Sequence, residues 1–581
     1  MDHASQTAAQ APDAERKGTA QNGVVLTYPH FEPHFPREMW TLPKVLEHQA
    51  VHRASRPFLQ WTDAGERFSY KEVNERVNRL AHGLAAQGIG KGDHVVLFLP
   101  NCLEFVLLWF ALSKIGAIEV PVGDIQKGAF LQHQLRLSGA RTIVTTAALT
   151  TRLAEVEGGV PALETCYIVD IEEETDEVTP LSRIKMRPFA DLNSDNTANP
   201  GVSILPGEIA AVLYTSGTTG WSKGVQMPHS QLYFFAEEDA QLVGLTEDDV
   251  YFTGFPFFHG NAQFLTIYPT MIAGAHIVLY RRFSASDFAG RARRSGATVA
   301  NLLGATMSFI CSSPPTPDDR EHRLRRIYAA PLAFDLAEEF RSRFGDIEFL
   351  DGFGQTEISI VFMTPHGAER PMGASGVLVD QYFEIRIADP ETDEEVPEGE
   401  VGELLVRHKL PGIISAGYLG TPEKTVEAWR NLWFHTGDAV RRDAQGWYYF
   451  VDRVKDALRR RGENISSFEV ESVLRTFPAV KECGVVGVKA DERAGEDEVM
   501  AFLIPAEGQT IDCAALIEWC AARMPAHMVP RYIEIVADLP KTPSEKIKKK
   551  DLREIGVTAT TWDRLAAGIH LPDEKRRSGS G

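Results

Sequence analysis

The chain has 581 residues, of which 60 are Lys or Arg and 80 are Asp or Glu, so its net charge is −20 near neutral pH. This length predicts about four folding units. A composition that is 44% hydrophobic and 24% charged excludes a mainly disordered, collagen-like or disulfide-dense protein. The negative charge argues against binding to nucleic acid or to an anionic membrane, although a small anionic ligand needs only a local positive field.

Targeting signals and cysteine motifs do not stand out in the sequence. The six cysteines lie far apart without C-x-x-C spacing, which predicts reduced, buried thiols and no zinc site. Residues 1–25 lack the apolar segment of a secretory signal and are predicted to form a disordered arm. The most apolar stretch, residues 105–122, contains Lys114 and Glu119 and is predicted to be core. We therefore expect a soluble, cytoplasmic protein with no integral membrane segment.

Helical and strand patterns alternate along the first part of the chain. Ser69 and Glu72 predict a capping box before an amphipathic helix, and residues 94–99 follow as a buried strand. Further strands are predicted at residues 141–146, 166–171, 210–214, 276–280, 298–303 and 348–350. Strands that alternate with helices predict largely parallel α/β sheets.

The pattern changes near residue 380. Close-set strands with turn signals then indicate an antiparallel sheet, at residues 382–387, 402–407 and 446–451. After Asp452 the pattern predicts a smaller α+β unit, with helices at 468–474 and 513–524 and strands at 483–488 and 499–504. A basic tail follows, and its lysines at 548–550 are predicted to be solvated.

The clearest chemical signal is residues 214–224, where a buried strand leads into hydroxyl side chains that alternate with glycines. Glycines let backbone N–H groups approach an anion, hydroxyls add donors and Lys223 adds charge. The segment differs from a Walker loop because Gly224 follows the lysine. It predicts a polyphosphate-binding loop formed by Thr215, Ser216, Gly217, Thr218, Thr219, Gly220 and Lys223.

This loop resembles the signature segment of the adenylate-forming superfamily, which contains acyl-CoA synthetases, adenylation domains and luciferases. Later segments resemble motifs of the same superfamily in the same order, namely residues 351–357, 436–438, 452–456, 461–466 and 540–546. The resemblance covers roughly residues 35–555.

The resemblance implies the domain organisation. A large N-terminal AMP-binding domain is expected at residues 26–452, with parallel α/β subdomains and a distorted antiparallel β-barrel. A small, mobile C-terminal α+β lid domain is expected at residues 453–565, and a tail at 566–581. Lys455 is the implied hinge residue, whose backbone rotation lets the small domain serve two half-reactions.

The resemblance also implies a nucleotide site. Glu357 offers a hard carboxylate oxygen to Mg²⁺, and Thr356 is an implied donor to the α-phosphate. Phe353 is expected to cover one face of the adenine, whereas Asp438 accepts from the ribose hydroxyls and Arg453 contacts ribose or phosphate. Further implied nucleotide-binding positions are Ala330, Asp351, Gly352, Lys455, Gly462 and Glu463.

Lys546 is the implied catalytic lysine. Attack of a carboxylate on ATP concentrates negative charge at the α-phosphate, which a positioned ammonium stabilises. Members of the superfamily usually have glycine just before this lysine, whereas this chain has Glu545.

The acid-binding pocket is expected to be reshaped. Residues 328–331 are Tyr-Ala-Ala-Pro where the superfamily typically has Gly-Gly-Ala-Pro, and Gly-Ala at 304–305 replaces a frequent Pro-Thr. Residues 256–259 resemble the aromatic segment that gates the acyl channel, in which His259 is expected to orient the carboxylate. The implied pocket residues are Phe258, His259, Gly304, Tyr328 and Ala329.

Together, these segments predict an ATP-dependent carboxylic acid–CoA ligase that forms an acyl-AMP and then an acyl-CoA. ATP, Mg²⁺, CoA and a small-molecule carboxylic acid are the expected ligands, and the protein is expected to be a monomer or homodimer. Residues 433–438 and 461–464 look most like the crotonobetaine/carnitine–CoA ligase branch, a resemblance that does not name the acid. The alternatives are an adenylating enzyme that loads a carrier protein, a luciferase-like oxygenase and a nucleotide-responsive binding protein without catalysis.

Overall fold

The computed structural model describes residues 25–571, apart from residues 64, 172–176, 216–220, 331, 333, 391, 454–456, 461–462, 492–495, 541–546 and 548. Strands of the first region lie at β1 (Pro57–Trp61), β2 (Glu66–Ser69), β3 (His94–Phe98), β4 (Ile118–Pro121), β5 (Thr142–Thr146), β6 (Thr165–Val169), β7 (Lys185–Pro188), β8 (Ile209–Thr215), β9 (Lys223–Pro228), β10 (Val250–Thr253), β11 (His276–Leu279), β12 (Val299–Leu302), β13 (Arg326–Ala329) and β14 (Glu348–Leu350). The remaining strands lie at β15 (Gly352–Gln355), β16 (Ser359–Met363), β17 (Gly376–Leu378), β18 (Phe383–Ala388), β19 (Gly402–His408), β20 (Phe434–Arg442), β21 (Trp447–Arg453), β22 (Ala457–Arg460), β23 (Glu463–Ser466), β24 (Val480–Asp491), β25 (Glu496–Pro505), β26 (Tyr532–Ile535) and β27 (Trp562–Asp563).

The α-helices alternate with the strands of the first region, as the pattern predicts. They lie at α1 (Leu42–His52), α2 (Tyr70–Ala86), α3 (Leu103–Ile115), α4 (Gly128–Ser138), α5 (Thr150–Val156), α6 (His229–Val243), α7 (Gly260–Ala262), α8 (Tyr268–Ala273), α9 (Phe288–Ser295), α10 (Gly304–Ser312), α11 (Phe334–Phe344), α12 (Pro422–Ala428), α13 (Ser467–Leu474), α14 (Cys513–Arg523) and α15 (Lys549–Ile555). The predicted capping box is confirmed at the start of α2, where the Ser69 hydroxyl donates to Glu72 over 2.7 Å and accepts from its backbone N–H over 3.3 Å.

Two seven-stranded, mostly parallel sheets confirm the predicted α/β class. The first has the order β7-β6-β5-β3-β4-β8-β9, in which only the β8–β9 pair is antiparallel. The second has the order β14-β13-β12-β10-β11-β1-β2, in which only the β1–β2 pair is antiparallel. Both sheets carry helices in their crossovers, which is why their strands are apolar on both faces.

Helix α6 is the central element of the first region. It packs against β8 and β9 of the first sheet, against β13 of the second and against β16 beyond them. Every side chain of α6 except Gln241 is buried. A helix that is enclosed on all sides in this way belongs to the core and fixes how the surrounding sheets are arranged.

The predicted antiparallel region is confirmed as a third seven-stranded sheet, with the order β15-β16-β17-β21-β20-β19-β18. The sheet begins at Gly352 and not near residue 380, because β15 and β16 form a hairpin directly after β14. The glycines of β15 conceal this strand from a hydropathy pattern. Gly354 is required there, since a Cβ on it would lie 2.1 Å from the Ser359 carbonyl oxygen.

The C-terminal unit has a four-stranded sheet, β24-β25-β26-β27, and a separate β22–β23 hairpin. Leu571 is 3% exposed in the core of this unit, so the packing extends past the predicted boundary at residue 565. The Lys549 side chain is not a solvated tail charge as predicted, because its Nζ lies 2.7 Å from Glu471 Oε1.

The described residues also bear on the predictions about a membrane-spanning segment and about the cysteines. No helix among them is long and apolar enough to cross a membrane. All six cysteines are free, and burial raises the pKa of the Cys166 thiol to about 12. The prediction of reduced thiols agrees with the structure, whereas the prediction of burial holds for four of the six, since Cys311 and Cys513 are partly exposed.

A buried glutamate joins the first sheet to the segment that follows β10. Glu119 lies in β4 with no exposed surface, and its Oε1 accepts from Gln263 Nε2 over 2.6 Å. The same Nε2 donates to the Phe257 carbonyl over 2.9 Å. Gln263 begins a π-helical turn, Gln263–Ile267, a form that needs such local support. The sequence pattern predicts that Glu119 lies in the core but gives no sign of this contact.

The Glu119 carboxyl makes stability depend on pH. Burial raises its pKa from 4.5 to about 8, against an opposing hydrogen bond from Gln263. Between pH 4.5 and about pH 8, Glu119 is deprotonated in the unfolded chain but protonated in the folded chain. The free energy of unfolding therefore falls as the pH rises through this range. In the isosteric Glu119→Gln variant, we expect the free energy of unfolding not to show this fall with pH. Urea unfolding at a series of pH values measures it. The exposed Glu155→Gln variant is the control and should follow the parent; parallel curves for all three proteins would contradict the prediction.

Candidate active site

The second sheet brings the predicted acid and adenine segments together. The strands β14, β13, β12 and β10 are parallel neighbours in that order. Residues 351–357, 328–331, 303–305 and 256–259 lie at or just after their carboxyl ends. Parallel strands place their carboxyl ends along one edge, where α/β proteins bind ligands. Segments that are almost one hundred residues apart in sequence therefore line one edge of the sheet.

One end of the predicted polyphosphate loop contacts Glu357, and the other end contacts Tyr418. Residues 216–220 of this loop lie outside the described residues, but Thr215 and Lys223 flank them and pair in the β8–β9 ladder. Thr215 Oγ1 donates to Glu357 Oε1 over 3.5 Å, and the hydroxyl of Tyr418 donates to the same oxygen over 3.0 Å. Lys223 Nζ lies 4.0 Å from the centre of the Tyr418 ring. Tyr418 thus joins the lysine to the carboxylate, a role that no sequence motif indicated.

The backbone around Glu357 is held from two sides. Gln231 Nε2 on α6 donates to the Thr356 carbonyl over 2.8 Å, and the Ser415 N–H donates to the Glu357 carbonyl over 2.8 Å. Ser359 closes the hairpin with a φ of 63°, a left-handed conformation that is uncommon for a residue with a Cβ. Its hydroxyl donates to the Ile413 carbonyl over 2.9 Å, which supports this conformation.

Glu357 fits the predicted magnesium role as a single ligand. Its carboxylate is 8% exposed and faces the ends of the phosphate loop. Within the described residues, no group of three or more His, Cys, Asp and Glu side chains could hold a metal on its own. Mg²⁺ is often bound by one or two carboxylates, with phosphate and water oxygens completing its shell. The residues present therefore suit an ion that arrives with a polyphosphate.

The adenine segment combines a structural ion pair with a half-buried aromatic group. Asp351 Oδ2 accepts from Arg370 over 3.0 Å and from the Leu332 N–H over 3.2 Å, so this carboxylate fixes the loop after β13. Phe353 is half-buried between two other rings, with centroid distances of 5.6 Å to Phe362 and 6.0 Å to Phe450. An aromatic surface of this kind suits the predicted contact with a base.

Asp438 is held rigidly in the ribose segment. Its Oδ2 accepts from Gln355 Nε2 over 2.5 Å, and its N–H donates to Thr436 Oγ1 over 3.1 Å. Gly437, which precedes it, has a φ of 70° that favours glycine. Gln355 also donates to the Thr436 carbonyl over 3.1 Å, so one amide joins the adenine and ribose segments. The sequence analysis did not single out Gln355.

A buried glutamate, Glu403, supports the same turn through hydrogen bonds. Glu403 accepts from His435 Nδ1 over 3.1 Å and from the Gly437 N–H over 3.0 Å. Burial opposes ionisation of Glu403, but these hydrogen bonds and the nearby charges hold the pKa of its carboxyl below the usual range. The turn that presents Asp438 is therefore fixed electrostatically.

The predicted acid-pocket residues have distinct surroundings. Phe258 and His259 form a ring pair at 4.4 Å, and Gly123 makes room for it, since a Cβ there would lie 2.8 Å from Phe258 Cζ. Tyr328 and Ala329 on β13 are buried, Ala330 follows them half-buried, and Gly304 begins α10. Asn301 on β12 pairs with Tyr328 on β13. The two departures from the superfamily pattern, at Gly304 and Tyr328, therefore lie at the ends of neighbouring strands, at the same edge of the sheet.

Several predicted residues are described only in part. The backbone of Arg453 pairs with Asp438, which places this arginine at the ribose segment. Glu463 lies in β23 opposite Arg460, and Gly352 begins β15. Lys455, Gly462 and Lys546 lie outside the described residues, as do Ser216, Gly217, Thr218, Thr219 and Gly220. Their roles stay predictions.

Comparison with known proteins identifies the family. The AMP-binding enzyme family matches residues 46–419, and the AMP-binding enzyme C-terminal domain matches residues 469–546. The crotonobetaine/carnitine–CoA ligases of Salmonella paratyphi A and Salmonella typhi are each 34% identical over 491 residues, which is 84% of this chain and 93% of theirs.

Solved structures agree with this assignment. An anthranilate CoA ligase in complex with anthranoyl-AMP is 26% identical, with a TM-score of 0.64 over 92% of this chain and 99% of that one. An o-succinylbenzoate CoA synthetase from Bacillus subtilis, at 24% identity and a TM-score of 0.74, covers 88% of this chain and 98% of its own and supports the fold. The predicted resemblance and the prediction of an enzyme are confirmed: the chain belongs to the AMP-binding enzyme family.

Proposed function

We propose that this enzyme is an ATP-dependent carboxylic acid–CoA ligase. The observation that carries this proposal is the Glu357 carboxylate, which accepts from Thr215 and Tyr418 next to the edge where the acid-pocket segments lie, with Lys223 over the Tyr418 ring. A phosphate-binding loop after β8 of the first sheet and an acid pocket at the edge of the second sheet, joined through Glu357, suit the transfer of AMP to an acid. The curated relatives named as CoA ligases support CoA as the acceptor.

In the first half-reaction, a carboxylate oxygen of the acid attacks the α-phosphorus of ATP, and the bond to pyrophosphate breaks. Asp438 accepts from the ribose hydroxyls and Phe353 covers the adenine, so the α-phosphate is held at a fixed position. Thr356 donates to the α-phosphate, and the Lys546 ammonium stabilises the charge that develops there. His259 orients the attacking carboxylate. Glu357 supplies an oxygen to Mg²⁺, which neutralises phosphate charge when it is bound.

In the second half-reaction, the CoA sulfur attacks the acyl carbon of the acyl-AMP, and AMP leaves. Rotation of the backbone at Lys455 moves the C-terminal unit between the two steps. This movement takes Lys546 out of the site and lets CoA enter. Thioester formation with a carrier protein has the same chemistry and is the alternative acceptor. The relatives' named activities favour free CoA.

The reaction is tested by supplying the enzyme with ATP, Mg²⁺ and a panel of carboxylic acids, with and without CoA. We expect pyrophosphate that depends on the acid, and an acyl-CoA thioester that depends on CoA, both measured by mass spectrometry and a coupled pyrophosphate assay. Pyrophosphate without a thioester would point to a carrier protein as acceptor. Tight ATP binding without a product from any acid would contradict catalysis.

Glu357 should control the requirement for magnesium. We expect Glu357→Gln to raise the Mg²⁺ concentration needed for half-maximal pyrophosphate formation by more than Tyr418→Phe does. Tyr418→Phe removes only the hydroxyl that orients the carboxylate. Loss of a group that contacts a metal ligand lowers metal affinity about 10–100-fold. Unchanged magnesium curves in both variants would show that Glu357 is not a ligand.

Lys546 should act on the chemistry of adenylation. We expect Lys546→Ala to lower pyrophosphate formation by about 10²–10³-fold, the loss typical of a single charge-stabilising donor. Lys550→Ala removes the same charge four residues away and should leave the rate near that of the parent. Equal rates for Lys546→Ala and the parent would rule out the assignment.

A further inference from the structure

The C-terminal unit is packed against the first region through helix α4. Phe130 of α4 is 4% exposed and belongs to the hydrophobic core of the C-terminal unit, together with Cys520 and Met524 at the end of α14. Leu131, the next residue of α4, belongs instead to a core of the first region that contains residues of the first sheet. Neighbouring side chains of α4 thus enter different cores, and this helix lies between the two units.

Polar and backbone contacts accompany this packing. Lys127, which precedes α4, donates through Nζ to the Ala521 carbonyl. Gly128 has a φ of 54°, and a Cβ on it would lie 3.4 Å from the Arg523 carbonyl oxygen. The start of α4 therefore lies against the last turn of α14.

Trp221 joins the same contact from the phosphate loop. It directly follows residues 216–220 in the sequence, and its side chain packs against the core of the C-terminal unit. The centre of its ring lies 5.5 Å from that of Phe130 and 5.2 Å from that of His133, on which it is stacked. His133 Nε2 donates to the Ser222 carbonyl over 2.9 Å. One indole thus links the end of the phosphate loop to α4 and to the C-terminal unit.

The sheet of the C-terminal unit has a different core on each face. Val485 belongs to the core that packs against α4, whereas the next residue, Val486, belongs to a separate core. Because successive side chains of a strand point to opposite faces, the two cores lie on opposite sides of the sheet. Ile547 and Leu552 pack in the second core, and a Cβ on Gly484 would lie 3.3 Å from Ile547 Cγ2. The face that docks on α4 and the face that carries Ile547 are therefore opposite.

The choice of docked face bears on the two half-reactions. Ile547 directly follows the predicted catalytic lysine, Lys546, which lies outside the described residues. A unit that docks through α14 turns the face with Ile547 away from α4 and from Trp221. Since one sheet cannot present both faces to the phosphate loop, the step that needs the segment around Ile547 at this loop requires a different arrangement of the unit.

We propose that Phe130 and Trp221 are positioning residues that hold the C-terminal unit in the arrangement of the second half-reaction, in which CoA attacks the acyl-AMP. This inference rests on the proposed ligase function and on the predicted role of Lys546, and it adds the contact that selects one of the two steps. Burial of two aromatic side chains stabilises the docked arrangement relative to the undocked one. The segment that ends the phosphate loop of the first step thus forms part of the docking surface for the second.

The test measures the two half-reactions separately on the whole enzyme. The probes are the carboxylic acid of the panel that releases most pyrophosphate and its chemically prepared acyl-AMP. Pyrophosphate formation from ATP and the acid reports the first step, and thioester formation from the acyl-AMP and CoA reports the second.

Phe130→Ala supplies the first arm, because it changes the docking surface at a distance in sequence from the phosphate loop. We expect it to lower kcat of the second step about tenfold or more, since much less apolar surface is buried in the docked arrangement. The first step should stay within about twofold of the parent, because a contact absent from a step does not change its barrier. Equal losses in both steps, or unchanged rates in both, would overturn the inference.

Substitution of Trp221 supplies the second arm and carries the comparison if Phe130→Ala does not fold. Trp221→Ala should lower the second step by more than the first, whereas Trp221→Phe keeps an aromatic ring and should restore most of the second step. Trp562→Leu is the matched control, because it removes an indole that packs against the same core from β27, within the C-terminal unit itself. It should leave the ratio of the two rates near that of the parent. A ratio changed as much by Trp562→Leu as by Trp221→Ala would overturn the inference.

A measurement without turnover separates this inference from the proposed reaction. Amide hydrogen exchange in α4 and α14, with AMP and CoA present, should be faster in Phe130→Ala than in the parent, since loss of docking exposes both helices. Equal exchange in the two proteins would overturn the inference. Failure of every acid to release pyrophosphate from the parent would reject the ligase function, whereas two normal steps in Phe130→Ala would reject only the docking role.

Discussion

The carboxylate of Glu357 is the contact on which the arrangement of the site depends. It receives hydrogen bonds from Thr215, at the end of a strand of the first sheet, and from Tyr418, far along the chain. Its own backbone belongs to the hairpin that opens the antiparallel sheet. One buried acceptor thus ties together segments from two sheets and from the phosphate loop. The donors that hold this carboxylate are already in place, and the same preorganisation is what a polyphosphate site requires.

Helix α6 connects the segment around Glu357 to the rest of the core. Gln231 near its start supports the backbone of Thr356, and Glu238 further along accepts from Ile360 in the antiparallel sheet. Between these contacts the helix passes the π-helical turn that carries Gln263, which Glu119 holds from the first sheet. Buried polar side chains therefore join α6 to the hairpin that opens the antiparallel sheet, whereas Asp239 has no hydrogen-bond partner within the described part of the chain.

The sequence predicted much of the site because its chemistry is local. Glycines, hydroxyls and a lysine after a buried strand predict an anion-binding loop wherever they occur, and Thr215 and Lys223 flank such a loop. The roles of Tyr418, Gln355 and Gln231 were missed because each acts on a partner 60 or more residues away in the chain. Strand β15 was missed for a different reason, since its glycines give no hydropathy signal.

The sequence by itself determined the alternation of strands and helices, the capping box at Ser69, the change to an antiparallel region and the family resemblance. These features depend on residues that are close together in the chain, where periodicity and turn chemistry decide the outcome. Only the tertiary structure decided that α6 lies among three sheets and that Asp239 is buried without a hydrogen-bond partner among the described residues. It likewise decided that Lys549 pairs with Glu471, since the compensation of a charge depends on which distant segments pack around it.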